Sequence, residues 1–305
     1  MAEHQRALAL AEREQSPELV ARALGGLADG YYARGQMRSA SSALERCIEN
    51  ARQAGAGAVE IANRPMLGFA QCCMMRLDAM RETGHTSHTM ARHAQNRRAE
   101  LIALHILMLV SWETDRPKEG LPHVTAARQI VAELGAWRFE GENVIFGAQL
   151  EAAAGRRKEA IEMAREAIEL CREHARSYFA PAALGIGAAL TDDPAERAAW
   201  LTEGEAGLAG PTLVHNHIFF RRNAIEAVLA AGKSGEARRH AAALADYAAH
   251  EPLPLIDLIV RRAELLADAA DGRLTPEKRA ELSQLAATVQ QSGFVQLAKA
   301  MLAVA

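Results

Sequence analysis

The sequence predicts an all-α protein, a right-handed α-α superhelix (an α-solenoid) of about seven stacked helix pairs. Three observations lead to this prediction. A turn-like segment at residues 155–160 has a close copy at residues 232–237 and looser copies at residues 115–120 and 35–40. No segment shows the strict polar–apolar alternation that is typical of half-buried strands. The position of Ala160, five residues after the glycine that opens the segment, recurs at intervals of 40 residues, at Ala40, Met80, Gly120 and Ala160.

The repeated turn explains how successive helices are joined. In each copy a glycine, or Asp115 in one case, ends a helix, and the residue five positions later lies one turn into the next. Glycine suits the stop because it adopts the left-handed conformation without a clash of Cβ. A fixed period of this length indicates stacked helix pairs, because one pair cannot bury its apolar face alone. The alternative is a large helical bundle whose turns look alike, and four units in one register argue against it.

The helices can be placed in order along the chain. A first helix over residues 2–15 precedes Ser16 and Pro17, which read as an N-cap followed by proline at the first helical position. Similar signals occur at residues 193–194 and 275–276. No linker exceeds about six residues, so one continuous domain over residues 1–305 is expected. Its approximate units are residues 17–54, 58–94, 96–134, 136–174, 177–208, 212–250 and 253–305.

The second helix of the second unit, residues 77–93, departs most from the repeat. Residues 81–88 are polar and include Gly84 and several weak helix formers. Their low helix propensity predicts a frayed or irregular helix in this stretch.

Composition and charge exclude several classes of protein. Hydrophobic residues make up 50% of the chain and aromatic residues only 5%, which favours close helix packing by small side chains. The formal net charge is −3 and there is no basic run, so a nucleic-acid partner is not predicted. No apolar run reaches about 20 residues, so neither a membrane-spanning helix nor a membrane partner is predicted.

The four cysteines give no sign of a disulfide framework. Cys47 and Cys171 fall on apolar helical faces, and Cys72 and Cys73 are adjacent in a helix. Buried free thiols in a reducing cytoplasm are therefore expected. Residues 1–6 are charged and helical in pattern, which does not match a signal peptide.

Two motifs suggest chemistry that the spacing does not support. Residues 232–234 have the Gly-Lys-Ser order of a phosphate-binding loop, but position 227 is an alanine inside a predicted helix instead of the required glycine. His85, His88 and His93 lie close in sequence, yet no nearby cysteine or carboxylate completes a recognisable zinc spacing. We therefore predict no catalytic residue, no metal ion and no cofactor.

Residues 215–226 form the densest polar and aromatic cluster of the sequence. His217, Arg221 and Glu226 are spaced so that they could bond across helical turns, and His215 opens the cluster. Two interpretations stay open. The cluster is either a structural network that seats the sixth unit after Pro211, or a contact surface for a ligand or partner.

The repeat resembles the tetratricopeptide repeat. In the first unit the large, small, aromatic, glycine, alanine, large and small positions of that family are occupied by Leu27, Ala28, Tyr31, Gly35, Ala40, Leu44 and Cys47. The period is longer than is usual for the family, which implies longer helices. The resemblance implies that the first helix of each pair lines a concave groove that binds a protein or peptide partner.

A narrower resemblance covers most of the chain. Residues 23–35, 215–226 and 248–254 are similar to the helical-repeat tail of bacterial class III adenylate/guanylate cyclase proteins. In that family a cyclase domain and an AAA-type ATPase module precede the tail. The resemblance implies a regulatory or sensing segment. The metal-binding carboxylates of the cyclase and the phosphate loop of the ATPase have no counterpart here.

These expectations define a candidate function and a candidate site. The function is a non-catalytic protein-interaction or effector-binding scaffold, expected as the regulatory C-terminal region of a cyclase/ATPase signalling protein. The alternatives are a stand-alone adaptor or self-assembly module, such as a homodimer, and a metal or small-ligand receptor that uses the histidine clusters. The candidate partner-binding residues are Arg22, Asp29, Tyr32, His105, Trp112, Glu113, Gln149, His215, His217, Arg221, Arg222, Asn223 and Glu226.

Overall fold

The computed structural model of the chain describes residues 1–304. Over these residues the chain forms 16 α-helices and one short 3-10 turn, without any β-strand. Consecutive helices pack against each other in pairs. The all-α helix-pair architecture predicted from the sequence is therefore confirmed.

The chain divides into two compact units, residues 1–107 and the residues from 108 onward. The boundary lies inside the sixth helix, which contributes most of its length to the first unit. The helices that begin in the first unit are α1 (Ala2–Arg13), α2 (Pro17–Tyr32), α3 (Met37–Gln53), α4 (Gly57–Cys73), α5 (Leu77–His93) and α6 (Arg97–Glu113).

The second unit contains ten helices among its described residues, and the 3-10 turn Trp137–Phe139 lies between the first two. They are α7 (Pro117–Leu134), α8 (Glu140–Ala153), α9 (Arg157–His174), α10 (Ala180–Leu190), α11 (Pro194–Leu208), α12 (Val214–Ala230), α13 (Ser234–Tyr247), α14 (Pro254–Ala270), α15 (Pro276–Gln291) and α16 (Val295–Leu302).

Packing follows one rule in both units. We call α2, α4, α6, α8, α10, α12 and α14 the first helices, and α3, α5, α7, α9, α11, α13 and α15 the second helices. First helices pack on their own second helices, as α2 does on α3, α4 on α5 and α8 on α9. In the second unit α10 also packs on α8 and α12, and α12 packs on α14. Within the second unit, α8, α10, α12 and α14 therefore form a continuous row.

The turns between helices repeat at half the predicted interval. Residues in the left-handed conformation recur every 20 residues from Gln15 to Gly155. The predicted Asp115 and Gly155 are among them, with φ of 56° and 82°. Gln15, Met75 and Gln95 occupy equivalent positions, although a side chain in this conformation carries a steric cost that glycine avoids. Each 40-residue unit is thus two halves of similar construction, a helix and its turn.

Small residues set the distance between helices, as the sequence predicts. Ala40, Ala160 and Ala237 are completely buried one turn after their left-handed residue. In α10, a Cβ placed on Gly185 would lie 2.6 Å from the Cα of Phe220 in α12. The backbones of these two first helices approach so closely that only glycine fits at this position.

The prediction of a frayed or irregular helix at residues 81–88 is wrong. The structure has a continuous helix, α5, from Leu77 to His93. Thr83, Gly84 and Ser87 are buried, and a Cβ on Gly84 would lie 2.9 Å from Cδ2 of Leu107. Tertiary packing of this small-residue face therefore overrides the low helix propensity.

The predicted N-caps are confirmed. The Ser16 side chain accepts a hydrogen bond from the amide of Leu19, and Thr275 accepts one from Lys278. Asp193 accepts from two amides of the first turn of α11. Each cap is followed by proline at the first helical position. The cap side chain accepts hydrogen bonds from amides that have no partner within the helix, and proline has no amide hydrogen that would need one.

Two further predictions concern burial and membranes. Cys47, Cys72, Cys73 and Cys171 are all free and buried, as predicted. Across residues 1–304, none of the helices combines the length and the apolar character that crossing a bilayer would require.

Candidate functional site

The candidate residues of the first unit lie at different depths. Arg22 and Asp29 are exposed, Tyr32 is half-buried and His105 is buried. The Arg22 guanidinium donates to Glu18 of its own helix, with an Nη2–Oε1 distance of 2.8 Å. The Tyr32 ring lies edge-on to an aromatic ring of α4, with the centroids 6.0 Å apart.

In the second unit, Trp112, Glu113 and Arg222 come together. Both carboxylate oxygens of Glu113 accept hydrogen bonds from Arg222, and the Nη2–Oε2 distance is 3.1 Å. The guanidinium carbon lies 4.5 Å from the centroid of the Trp112 ring. Glu113 is 0% exposed and Arg222 is 5% exposed. The bidentate pair and the aromatic face together offset the cost of removing both charges from water.

Gln149 lies near this cluster on the row of first helices. The rings of Phe146 in α8 and Phe219 in α12 have centroids 5.7 Å apart. Gln149 lies three residues after Phe146 on α8, and Arg222 lies three residues after Phe219 on α12. Gln149 is 4% exposed, and its Oε1 atom has no hydrogen-bond partner within the described chain.

Glu226 is bonded within the protein. Its carboxylate accepts hydrogen bonds from Arg262 of α14, with an Nη2–Oε2 distance of 3.2 Å. The Nε of Arg262 donates to the carbonyl of Leu297 in α16 at 2.8 Å. Asp115 accepts a further bond from Lys299 of α16 at 2.7 Å. Both the buried Arg262 and the more exposed Asp115–Lys299 pair thus connect the last helix to earlier parts of the second unit.

His215 has a structural role, together with its neighbour Asn216. The His215 Nε2 atom lies 2.6 Å from the carbonyl oxygen of Tyr178. Asn216 accepts a hydrogen bond from the amide of Ala182 at 3.1 Å and donates to the same Tyr178 carbonyl at 2.8 Å. Since Ala182 is the third residue of α10, the Asn216 side chain caps that helix from α12. This network favours the structural interpretation of the start of the cluster.

Arg221 is likewise bonded to residues of two other helices. It donates to Glu205 of α11, and its Nη1 lies 2.8 Å from Nδ1 of His240. Burial, together with the nearby Arg239 and Arg221, lowers the pKa of His240 to about 4. At neutral pH the imidazole is therefore uncharged and can accept a hydrogen bond from Arg221.

His217 and Asn223 complete the predicted set. The His217 ring stacks on Tyr247, with the centroids 3.8 Å apart. Burial, with Arg221 and His215 nearby, lowers the pKa of His217 to about 4. Asn223 donates to the Phe219 carbonyl of its own helix at 2.8 Å. Most candidate residues of this unit therefore bond or pack against other residues of the protein.

Sequence reasoning missed three buried glutamates that repeat with the array. Glu60, Glu100 and Glu140 are 40 residues apart, and each is 5–6% exposed. Glu60 accepts from Nε of Arg52 at 3.0 Å, and Glu140 accepts from Nε of Arg128 at 2.6 Å. In both cases the arginine belongs to the preceding second helix. The 40-residue spacing of an acid at a core-facing position was the signal that could have revealed them.

A cleft of about 300 Å³ opens between the second helices of the first unit. The base of this α4 cleft is α4, and its walls are α3 and α5. Ile48 and Leu67 supply apolar surface. The charged and amide residues that line it are Glu45, Glu49, Arg52, Arg64, Gln71 and Glu82.

Two residues that line the α4 cleft each have a buried polar atom without a hydrogen-bond partner in the described residues, Nε of Arg64 and Oε1 of Gln71. The two residues are 8% and 7% exposed. The Nη2 atom of the same Arg64 side chain does have a partner, because it donates a hydrogen bond to Glu60. An unpaired buried polar atom costs about 1–3 kcal/mol, and such atoms are rare in native proteins.

A second cleft, of about 340 Å³, lies beside α9 in the second unit. Its lining includes Arg165, Thr191 and Asp192. Arg165 donates to Glu196 at 2.8 Å, and Thr191 also bonds to Glu196. Asp192 accepts from Arg157. Arg165, Thr191 and Asp192 are thus already paired, which distinguishes this cleft from the α4 cleft.

The thiols and histidines do not form a reactive centre in the described part of the chain. No group of three histidine, cysteine, aspartate or glutamate side chains there is placed to hold a metal ion. Burial raises the pKa of Cys47 to about 11 and that of Cys171 to about 12. These thiols stay protonated at neutral pH and are poor nucleophiles.

Comparison with protein-family models and with curated proteins gave no match. Among solved structures, the chain is similar to a Signal Transduction ATPase with Numerous Domains (STAND) protein with a tetratricopeptide repeat sensor from Pyrococcus horikoshii. The sequence identity is 12% and the TM-score is 0.49. The match covers 93% of this chain and 46% of the other, so this chain spans about half the length of that protein.

Proposed function

We propose that the protein is a non-catalytic scaffold that binds a protein partner. The observation that supports this function best is the α4 cleft, which combines open volume with two buried polar atoms that lack partners. Three rigid helices hold this surface, as is typical of binding sites on helical-repeat proteins.

We assign binding to the α4 cleft, whose base is one first helix and whose walls, α3 and α5, are second helices. The resemblance to the tetratricopeptide repeat had implied a groove of first helices instead. In the second unit the charged residues of that row, such as Glu113, Arg222 and Glu226, already bond within the protein. A partner would have to break these buried pairs before it could use them, at a cost of several kcal/mol. The α4 cleft requires no such exchange.

Site-directed photo-crosslinking in cells tests this function. A benzoylphenylalanine at position 79, in the wall of the α4 cleft, is expected to capture a defined partner protein. The matched control places the same residue at position 242, which is exposed on α13. Identical cross-linked species from both positions, or none from position 79, would contradict binding at the cleft.

We further propose that the scaffold regulates a catalytic unit in the same protein or complex. The resemblance of residues 23–35 and 215–226 to the tail of cyclase proteins supports this role. Binding would shift the equilibrium between stacking arrangements of neighbouring helix pairs, and so the activity of the attached unit. Cyclase and ATPase activity should therefore change when the tail and its captured partner are added to the catalytic unit. Unchanged activity would exclude regulation but not binding.

A further inference from the structure

We propose that the α4 cleft binds an extended peptide segment that carries a basic side chain. The inference rests on the proposed scaffold function and names the class of ligand. Three features of the cleft support it: the spacing of its unpaired atoms, its charge, and its apolar base.

The unpaired atoms fit a peptide backbone. Arg64 and Gln71 are seven residues apart on α4, which corresponds to about 10.5 Å along the helix. An extended chain advances about 3.3 Å per residue, so about three residues cover that distance. Both atoms are shielded from water in the free protein, so the proposal includes a turn of the two side chains toward the cleft on binding. A peptide carbonyl then accepts from Nε of Arg64, and a peptide amide donates to Oε1 of Gln71. A carboxylate or phosphate supplies only acceptors and an amine only donors, so neither satisfies both atoms.

The charge of the cleft favours a cationic segment. Glu49 and Glu82 line the opposite walls formed by α3 and α5. The two arginines of the cleft do not balance them, because Glu60 already binds Arg52 at 3.0 Å and Arg64 through a second nitrogen. A lysine or arginine head group between the walls would pair with these carboxylates.

The apolar base explains how such a side chain would lie. Ile48 and Leu67 line the cleft between the charged residues. Lysine and arginine side chains bury their methylene groups on apolar surface while the charged head stays near polar groups. The cleft volume of about 300 Å³ is at the lower end of typical ligand pockets, so it holds a short segment and not a folded domain.

Nuclear magnetic resonance titration of the full chain tests the proposal. The probes are the capped peptide acetyl-Ala-Lys-Ala-Lys-Ala-amide, its glutamate counterpart, and spermidine, which is a cation without amide groups. The lysine peptide is expected to shift the Nε–H signal of Arg64 and the side-chain amide signal of Gln71. The glutamate peptide and spermidine should leave both signals in place.

Matched variants separate a peptide site from a general effect of mutation. Gln71→Leu should weaken binding of the lysine peptide at least tenfold. Gln149→Leu is its control, because Gln149 is also a buried glutamine with an unpartnered Oε1 but lies in α8, outside the cleft. The double variant Glu49→Gln, Glu82→Gln should also weaken binding at least tenfold, whereas Glu159→Gln on the exposed face of α9 should not.

Each result of these titrations either supports or overturns the peptide site. Equal affinity of wild type and Gln71→Leu overturns the proposal, and so does tight binding of spermidine, which would indicate a simple cation site. An equal loss in Gln149→Leu would also overturn it. If cross-linking at position 79 captures a partner but the lysine peptide does not bind, the ligand class is wrong and the scaffold function stands. If neither occurs, both proposals fail.

Discussion

Several buried arginines of this protein are held by carboxylates on other turns or other helices. Arg222 bonds to Glu113, Arg262 to Glu226, and Arg64 to Glu60. A buried ion pair adds little net stability by comparison with apolar residues of the same shape, but loss of one partner leaves an uncompensated charge. These ion pairs therefore determine which side chains contact each other, and they add little to the stability of the fold.

The pair of Glu113 and Arg222 gives a direct test at the residue scale. Glu113→Ala should lower the free energy of unfolding by about 3–5 kcal/mol, because it strands a buried guanidinium. The double variant Glu113→Leu, Arg222→Met should lose much less, since it removes both charges. Urea unfolding measures both values. Glu3→Ala, in an ion pair whose side chains are 75% and 82% exposed, is the control and should have no measurable effect. A double variant as unstable as the single one would contradict this account.

His240 makes stability depend on pH. Its pKa is lowered to about 4 in the folded protein, against about 6.5 in an unfolded chain. The unfolded state therefore binds a proton first as the pH falls, so the stabilisation is complete above about pH 6.5 and is lost toward pH 4. Unfolding curves between pH 7 and 4 should show this decline, and His240→Gln should make it shallower. A decline of the same size in the variant would exclude His240 as the cause.

At the residue scale, the sequence predicted the helix face on which a side chain lies better than the residue to which that side chain bonds. Glu113 and Arg222 were both expected on the face of first helices, but their pairing across 109 positions depends on how the helix pairs stack. The buried Glu60 was missed, because an acid within a helical pattern usually lies on a solvated face. Its arginine partners belong to α3 and α4, and only the structure brings them together.

Glycines determine how closely the helices approach. The backbone of α10 meets that of α12 at Gly185, where Phe220 leaves no room for a Cβ. Gly235, near the start of α13, has no heavy atom within 4 Å of an added Cβ. These two residues occupy helices of adjacent pairs but have opposite packing requirements.

Alanine substitutions at these two glycines should change stability in opposite directions. Gly185→Ala should destabilise the protein by about 1–3 kcal/mol, because the backbone of Phe220 would have to move. Gly235→Ala should stabilise it by up to about 1 kcal/mol through better helix propensity. Thermal unfolding by calorimetry measures both changes. Destabilisation by Gly235→Ala would show that an added methyl group is unfavourable for another reason than contact with a neighbouring helix.

For helices and turns, short sequence signals were sufficient to predict the features that depend on a few neighbouring residues. The caps at Ser16, Asp193 and Thr275 and the left-handed Gly155 follow from rules that concern a few neighbouring residues. The helix α5 was predicted to be irregular because its propensity is low. Packing of its small residues decides the outcome there, and propensity contains no information about that packing.

In the second unit, contacts also join residues that are far apart in sequence. A stacked array contacts mainly its nearest neighbours, so its terminal repeats open easily. Here Asp115 accepts hydrogen bonds from Gln296 and Lys299, which follow it by 181 and 184 positions. Such contacts give the last helix partners beyond its immediate neighbours.

The fold of the molecule was predictable and the candidate site was not. Periodicity reveals stacked helix pairs because every unit obeys the same packing rule. The α4 cleft depends on two atoms, Nε of Arg64 and Oε1 of Gln71, that remain unpaired once three helices have packed. No spacing in the sequence distinguishes these atoms from polar groups that find a partner.

The attachment of α16 can be measured by hydrogen exchange of the whole chain. Arg262 is 3% exposed as a side chain and donates to the Leu297 carbonyl of α16, so Arg262→Met removes a buried bond that water cannot replace. Amides of α16 should then exchange at least tenfold faster, while those of α8 and α9 stay unchanged. Lys299→Met is the control, because its ion pair with Asp115 has side chains 46% and 34% exposed and contributes little. If Lys299→Met releases α16 as much as Arg262→Met does, the surface pair and not the buried arginine holds the last helix in place.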